Sequence, residues 1–510
     1  MEKLLNNTYT KIAVLVIYII LLYLGIANHE MWMDESHHWL IARESANLSE
    51  LLHNYRYDGH PILWVLIMHI YSYFSDHFFG VQVIHALIAL TSILILMFKA
   101  PFPSLFKYAF VLSYFPLYEY GVIARNYSLL MLLLFCFVIV RHKNRPLLGW
   151  IILGLIANAH LFGLLFSGLY GVYWFYKNEF SEKPFKISSQ NLLSYFCFSI
   201  LVLFSVISIL PPQDHPALEL TGASFSFSQF ADSIMLLFKS LFPIPDFTSN
   251  YSWNLNYLTR TFRWAIAPIA VLSWLLPFLF KWNNKWYVAI WYCISGFIAL
   301  FIFMTDLIPG IRYGGIPLLF LLSLKWADYY EGNESNSVLN IFESKTKLFI
   351  LAVIMCAQLF SSIFSVVVDL KKPFSSTKYI QEYLVEKNYD KIPLVSNAFC
   401  NSISIRNYTD NSIYFLNIKQ DLRYCDWRYL DDAAGLDNQL NLRESIQEAR
   451  AFMMKNNLES TILLYHGEDI FDHSDNSLNV SDVIGGVDHL FTFKKGIVKR
   501  ENYALYRVMR

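Results

Sequence analysis

The stretch KIAVLVIYIILLYLGIANHEMWMDESHHWLI, residues 11–41, joins two textures with no linker between them. Its first part, 11–27, is apolar apart from one lysine. As a helix it is about 26 Å long at 1.5 Å per residue, close to the roughly 30 Å of bilayer hydrocarbon. No small-residue cleavage site follows, so it reads as a retained membrane helix. Its second part then places Asp34, Glu35, His37 and His38 side by side between tryptophans.

The rest of the chain has the texture of 11–27. Of 510 residues, 55% are hydrophobic, 17% aromatic and only 16% charged, with a positive mean hydropathy. That is too apolar for a soluble globule of this length and points to an α-helical polytopic membrane protein. Forty basic and forty acidic side chains cancel, so nothing in the balance suggests a nucleic-acid partner. Further spans are expected at 80–98, 106–122, 125–141, 190–211, 264–281, 285–304, 313–327 and 347–369. The stretch 147–177 should cross out and back, turning near Asn158 and His160. PILWVLIMHIYSYF, 61–74, is short enough to lie along the interface. Eleven crossings result.

Basic hinges orient them, because short cytoplasmic loops retain Lys and Arg. Lys99 with Lys107, RHKNR at 141–145, Lys177 to Lys186, Lys281 with Lys285, and Lys325 to Lys347 are assigned to the cytoplasm. The N-terminus is then on the cytoplasmic side of a cell (inner or plasma) membrane, and residues 1–370 form a membrane domain with outer loops 28–79 and 212–263. Residues 371–510 lie outside. They alternate helix-like stretches with short β-rich runs, as a small α/β domain does. Cys400 and Cys425 fall there, where an oxidising compartment permits a disulfide; two free buried thiols are the alternative. No internal repeat or low-complexity tract is present.

The expected outer segments carry Arg43, Arg56, Arg125, Arg260, Arg263 and Arg312 but a single lysine, Lys239. Guanidinium suits two-point contact with phosphate or carboxylate, whereas lysine suffices where a charge need only stay in water. On a helix over 34–45, Asp34, His37, His38 and Ile41 share a face and Arg43 lies toward another. Asp34 as a plain helix cap is the bland alternative. DGHP at 58–61 adds Asp58 and His60, YEYGVIARNYSLL at 118–130 adds Glu119, Arg125 and Tyr127, and PGIRYGG at 309–315 adds Arg312 and Tyr313. Ionisable residues at membrane depth are costly and mark sites.

In this order, MWMDESHHWLIARE, DGHP, EYGVIARNYSLL, NAHLFGLL and IRYGGIPLLFLL resemble the polyprenyl-phosphate-sugar-dependent glycosyltransferases of the type C fold (GT-C), especially the protein O-mannosyltransferase and lipid A aminoarabinose transferase group. The resemblance covers about residues 10–330. It implies transfer of a sugar from a polyprenyl-phosphate carrier to an extracytoplasmic acceptor, with inversion. It implies Asp34 as the base that deprotonates the acceptor hydroxyl, Glu35 as the second acid of the pair, Arg125 on the lipid phosphate, and His60 and Arg312 near the donor. His37, His38, Arg43, Asp58, Glu119, Tyr127, His160 and Tyr313 complete the expected binding set. Ser36, His37 and His38 depart from the small or aromatic residues usual after the acid pair.

The chemistry is self-consistent. A glycosyl phosphate carries its own leaving group, so one carboxylate and a set of cations suffice, and no general acid is needed. His37, His38 and the acids could ligate a divalent metal, but the reading favours none. Two rivals use similar residues. A lipid-linked glycan transporter or flippase should show paired broken helices and mid-bilayer charges. A polysaccharide polymerase should show a large arginine-rich outer loop, and 212–263 holds only Arg260 and Arg263.

Overall fold

In the computed structural model, which describes residues 7–180, 189–213, 226–304, 310–332, 344–429, 440–467, 470 and 485–510, the apolar stretches form helices. α1 (Thr8–Asn28) leads into α2 (Met33–Glu44), α3 (Leu48–Tyr55) and α4 (Leu63–Ser72), then α5 (Phe79–Lys99). α6 (Ser104–Val111) is followed by a π-helical turn, Tyr114–Glu119, and by α7 (Tyr127–His142), α8 (Pro146–Ala159), α9 (Leu161–Glu179) and α10 (Ser189–Ile209). Short helices α11 (Phe227–Ile234), α12 (Leu236–Leu241) and α13 (Tyr257–Thr261) precede α14 (Arg263–Ser273), α15 (Lys285–Met304), α16 (Ile311–Glu331) and α17 (Lys345–Lys371). Five of these, α1, α5, α10, α15 and α17, are by themselves long and apolar enough to cross a membrane, and shorter or broken helices fill in between. The chain is a polytopic, mostly helical membrane protein.

Three local departures from uniform spans have physical causes. The span expected at 106–122 is broken, because α6 stops at Val111 and Pro116, which has no N–H to give, sits in the π-helical turn. The span expected at 264–281 carries Pro268 and ends in a 3₁₀ turn, Leu276–Leu279. α4 has ten residues, about 15 Å, and is too short to cross, as the interfacial reading of 61–74 requires.

The basic hinges gather at one end of the bundle. Lys107 Nζ donates to the carbonyls of Met97 and Ala100, and the Tyr330 hydroxyl donates to the Lys99 carbonyl. His142 stacks on Tyr330 at 3.7 Å, Arg141 and Lys177 both pair with Glu331, and Lys325 pairs with Asp328 at 2.7 Å. Lys186 and residues 333–343 of the remaining hinges lie outside the described residues.

After α17 the chain enters a six-stranded mixed sheet in the order β3-β2-β1-β4-β6-β5, with β1 (Leu394–Ser396), β2 (Ile413–Phe415), β3 (Gln420–Leu422), β4 (Ser460–Tyr465), β5 (Val487–Thr492) and β6 (Ala504–Met509). β1 pairs in parallel with β2 and β4, while the outer pairings are antiparallel. α18 (Thr377–Glu386) precedes β1, and α19 (Leu442–Asn456) precedes β4, opening with a capping box between Asn441 and Glu444. Alternation sorts the side chains by face. Leu463, Tyr465, Tyr506 and Val508 pack with Ile446 and Met453 of α19. Ile462, Leu464 and Leu505 instead join Leu40, Ile41, Leu51 and Trp64 in one core, so one side of the sheet is sealed against α2 to α4. Cys400 and Cys425 are disulfide-bonded.

Candidate active site

α2 forms where it does for readable reasons. Glu35 reaches back to the Trp32 amide, two acids occupy the positive first turn, and Arg43 sits in the negative last turn. Helical spacing then sends its side chains in three directions.

Asp34 points at two arginines brought from distant segments. Its Oδ2 lies 3.0 Å from Arg125 Nη1, in the loop before α7, and 2.8 Å from Arg312 Nη1, in the first turn of α16. The Arg312 guanidinium is held over the rings of Trp32, Trp253 and Tyr313 at 5.1–5.9 Å. Burial pushes the Asp34 carboxyl up, but Arg125, Arg312 and His38 outweigh it and hold the group below its usual range. Trp32 Nε1, Arg125 Nε and Arg312 Nε are buried with no partner among the described residues, so the centre keeps donor capacity beyond what Asp34 uses. Tyr127 stacks on Tyr120 and lies 5.3 Å from the His160 ring, and the Tyr120 hydroxyl donates to the Arg312 carbonyl. His160 also caps α9 through the Phe162 amide.

A second cluster adjoins. Asp58 Oδ1 meets His37 Nε2 at 3.0 Å, and Oδ2 meets His38 Nε2 at 3.2 Å and His60 Nδ1 at 2.8 Å. These are hydrogen-bond lengths. Burial drives the His38 imidazole down to about 4, so it is neutral near pH 7. At His60 the Asp58 charge overcomes burial and lifts the imidazole above its usual range. Asp58 itself is pushed up by burial, but His60, His38 and His37 hold it well below the ordinary carboxylate range. Among the described residues, His38, Asp58 and His60 are also able to hold a divalent cation, offering one ligand atom each within 4.8 Å of one another.

Three expected site residues are engaged elsewhere. Glu35 is 1% exposed; it accepts from the Ala124 amide and from His29, whose other ring nitrogen pairs with Asp369 on α17. Its place is that of a strut between α2, the Arg125 loop and α17, not of a group facing a reactant. Arg43 lies about 14 Å along α2 from Asp34 and pairs with Glu44. Glu119 is 1% exposed and accepts from Tyr114 and from the Trp253 indole, and so fixes the wall beside Arg312. Of the other expected outer arginines, Arg260 pairs with Asp246 and Arg263 with Asp232.

Sequence reasoning missed Trp32, Trp253, His29 and Asp369. Asp369 left a signal, as the one acid in a 27-residue helix. Trp253 left none, since a tryptophan in a polar loop has many uses.

No protein-family model matches the chain, and no curated protein matches it in sequence. Among solved structures it is similar to the crystal structure of ArnT from Cupriavidus metallidurans bound to undecaprenyl phosphate, with 10% sequence identity, 98% of each chain covered and a TM-score of 0.46.

Proposed function

We propose that the chain is an inverting glycosyltransferase that takes a sugar from a polyprenyl-phosphate carrier on the outer face of the cell membrane and passes it to an extracytoplasmic acceptor. The observation that carries this reading is the centre itself: one carboxylate bridging two guanidiniums, with further buried donors unspent. Two arginines of fixed fork geometry fit a phosphate better than a sugar hydroxyl. An apolar groove starts beside Ser113, Phe115 and Gly315, one turn along α16 from Arg312, and runs past Leu319 and Leu322 toward Lys325. That surface suits an isoprenoid chain whose headgroup sits at the arginines.

In this reading the carrier phosphate takes over the Arg125 and Arg312 donors. Asp34, released from its double ion pair, regains basicity and accepts the acceptor hydroxyl proton as that oxygen attacks the anomeric carbon. The carbon–oxygen bond to phosphate breaks, and the charge arriving on the phosphate is held by the two guanidiniums. His60 and Asp58 border the site, and no step requires a metal.

Purified protein in lipid nanodiscs, given a panel of polyprenyl-phosphate hexoses and pentoses with an envelope acceptor fraction, should release free polyprenyl phosphate. Surface glycans of cells lacking the gene should lose one sugar. No release across the panel together with unchanged glycans would overturn the proposal.

A further inference from the structure

We infer that Glu501, from the C-terminal domain, is a positioning residue for the catalytic helix, and that this domain is part of the active site's frame. The inference rests on the transferase reading for its functional consequence and on geometry for the rest. Glu501 is fully buried, and its Oε1 accepts the backbone amide of Met33, the residue before Asp34, at 2.6 Å. Its Oε2 accepts from Ser375 at 2.5 Å and from Ser404 at 3.0 Å, and its carbonyl accepts from Ser376.

A helix leaves its first amides without intrahelical partners, and whatever accepts from them fixes where the helix begins. Here an acceptor is supplied from a residue 468 positions later. Four further contacts continue along α2. Asn407 donates to Ser36 Oγ at 2.7 Å, the Trp427 indole nitrogen lies 3.1 Å from His37 Nε2, and Arg406 and Arg423 pair with Glu44 at 2.8 and 3.3 Å.

Positions 33, 36, 37 and 44 follow the three- and four-residue spacing of a single helix face, with buried Leu40 between them. Asp34 and His38 occupy the neighbouring face. The C-terminal domain therefore grips one side of α2 over its full length while Arg125 and Arg312 meet the adjacent side, and Asp58 bridges His37 and His38 at the border between the two. The Cys400–Cys425 disulfide ties together the two segments that supply Arg406, Asn407, Arg423 and Trp427. Mispositioning Asp34 by even an ångström should cost rate before it costs binding, because the arginines do not depend on this contact.

The test compares wild type with Glu501→Gln, Glu501→Asp and Glu501→Ala as full-length protein in nanodiscs, reading kcat, donor KM and hydrogen exchange of the 33–44 segment. Gln keeps an oxygen for the Met33 amide and should stay within about threefold of wild type in kcat. Ala, and Asp whose shorter arm cannot span Met33 and Ser375 together, should exchange faster at 33–37 and lose at least about tenfold in kcat with donor KM within about threefold. If Ala does not fold, Asp decides. Wild-type exchange and kcat in the truncated variants overturn the inference, as does a loss confined to KM. If wild type transfers no sugar yet exchange rises in the variants, the grip stands and the transferase reading falls.

Discussion

Arg125 and Arg312 share a single carboxylate oxygen, and the proposed function requires that both be able to turn to a phosphate. Replacing either with lysine should cost on the order of 2–4 kcal/mol in donor-dependent rate, about thirty- to a thousandfold, because an ammonium cannot make the planar two-point contact. Steady-state rates against donor concentration check this, and wild-type values in both would reduce the arginines to snorkelling charges. Chelators should leave the rate unchanged; a loss restored by a divalent cation would instead make His38, Asp58 and His60 a metal site. Asp34, Arg125 and Arg312 were legible in the sequence because each is an ionisable residue at the end of an apolar stretch. Glu35, Arg43 and Glu119 have the same local look. Glu35 and Glu119 are tied up by the Ala124 amide and Trp253, which come from distant segments that neighbours along the chain do not disclose, whereas Arg43 pairs with its own neighbour, Glu44.

At the scale of elements, helix breaks and close approaches position the site. α6 ends at Val111, and the π-helical turn that holds Pro116 brings Tyr120 to the Arg312 carbonyl. Gly315 faces Phe115 and Tyr120 so closely that a Cβ there would overlap both side chains. Gly315→Val should therefore push α16 from the π-helical turn, costing about 1–3 kcal/mol of stability from overpacking and lowering activity with it. Thermal unfolding beside turnover measures both, and an unchanged pair would mean the segments are free to separate. Spans such as 285–304 were legible because hydropathy alone defines them. The break in 106–122 was not, since an apolar run with one proline also fits a kinked continuous helix. Orientation is checked by cysteine labelling from outside the cell. Ser49→Cys should react and Lys143→Cys should not, and labelling at Lys143→Cys would invert the topology.

Over the whole molecule, the C-terminal domain and the membrane bundle meet around buried acids as well as apolar surface. Burial lifts the carboxyl of Glu501 to about 8 and that of Glu30 to about 7. The folded protein thus keeps protons that the unfolded chain releases above about pH 4.5, and linkage makes stability fall as pH rises from there toward 8, then level off. Melting temperature against pH should show that slope, and Glu501→Gln should flatten it; equal slopes in the two proteins would mean that Glu501 titrates normally. A small α/β domain was legible from its short β-rich runs, whereas its packing against α2 was not, because the joining contacts link residues hundreds of positions apart. The central claim is that Asp34 both accepts the proton and competes with the carrier phosphate for Arg125 and Arg312. The most direct measurement is polyprenyl phosphate affinity alongside kcat for Asp34→Asn in nanodiscs. Asp34→Asn should bind polyprenyl phosphate at least as tightly as wild type, with kcat down by a factor on the order of a thousand. Weaker binding with turnover retained would contradict it.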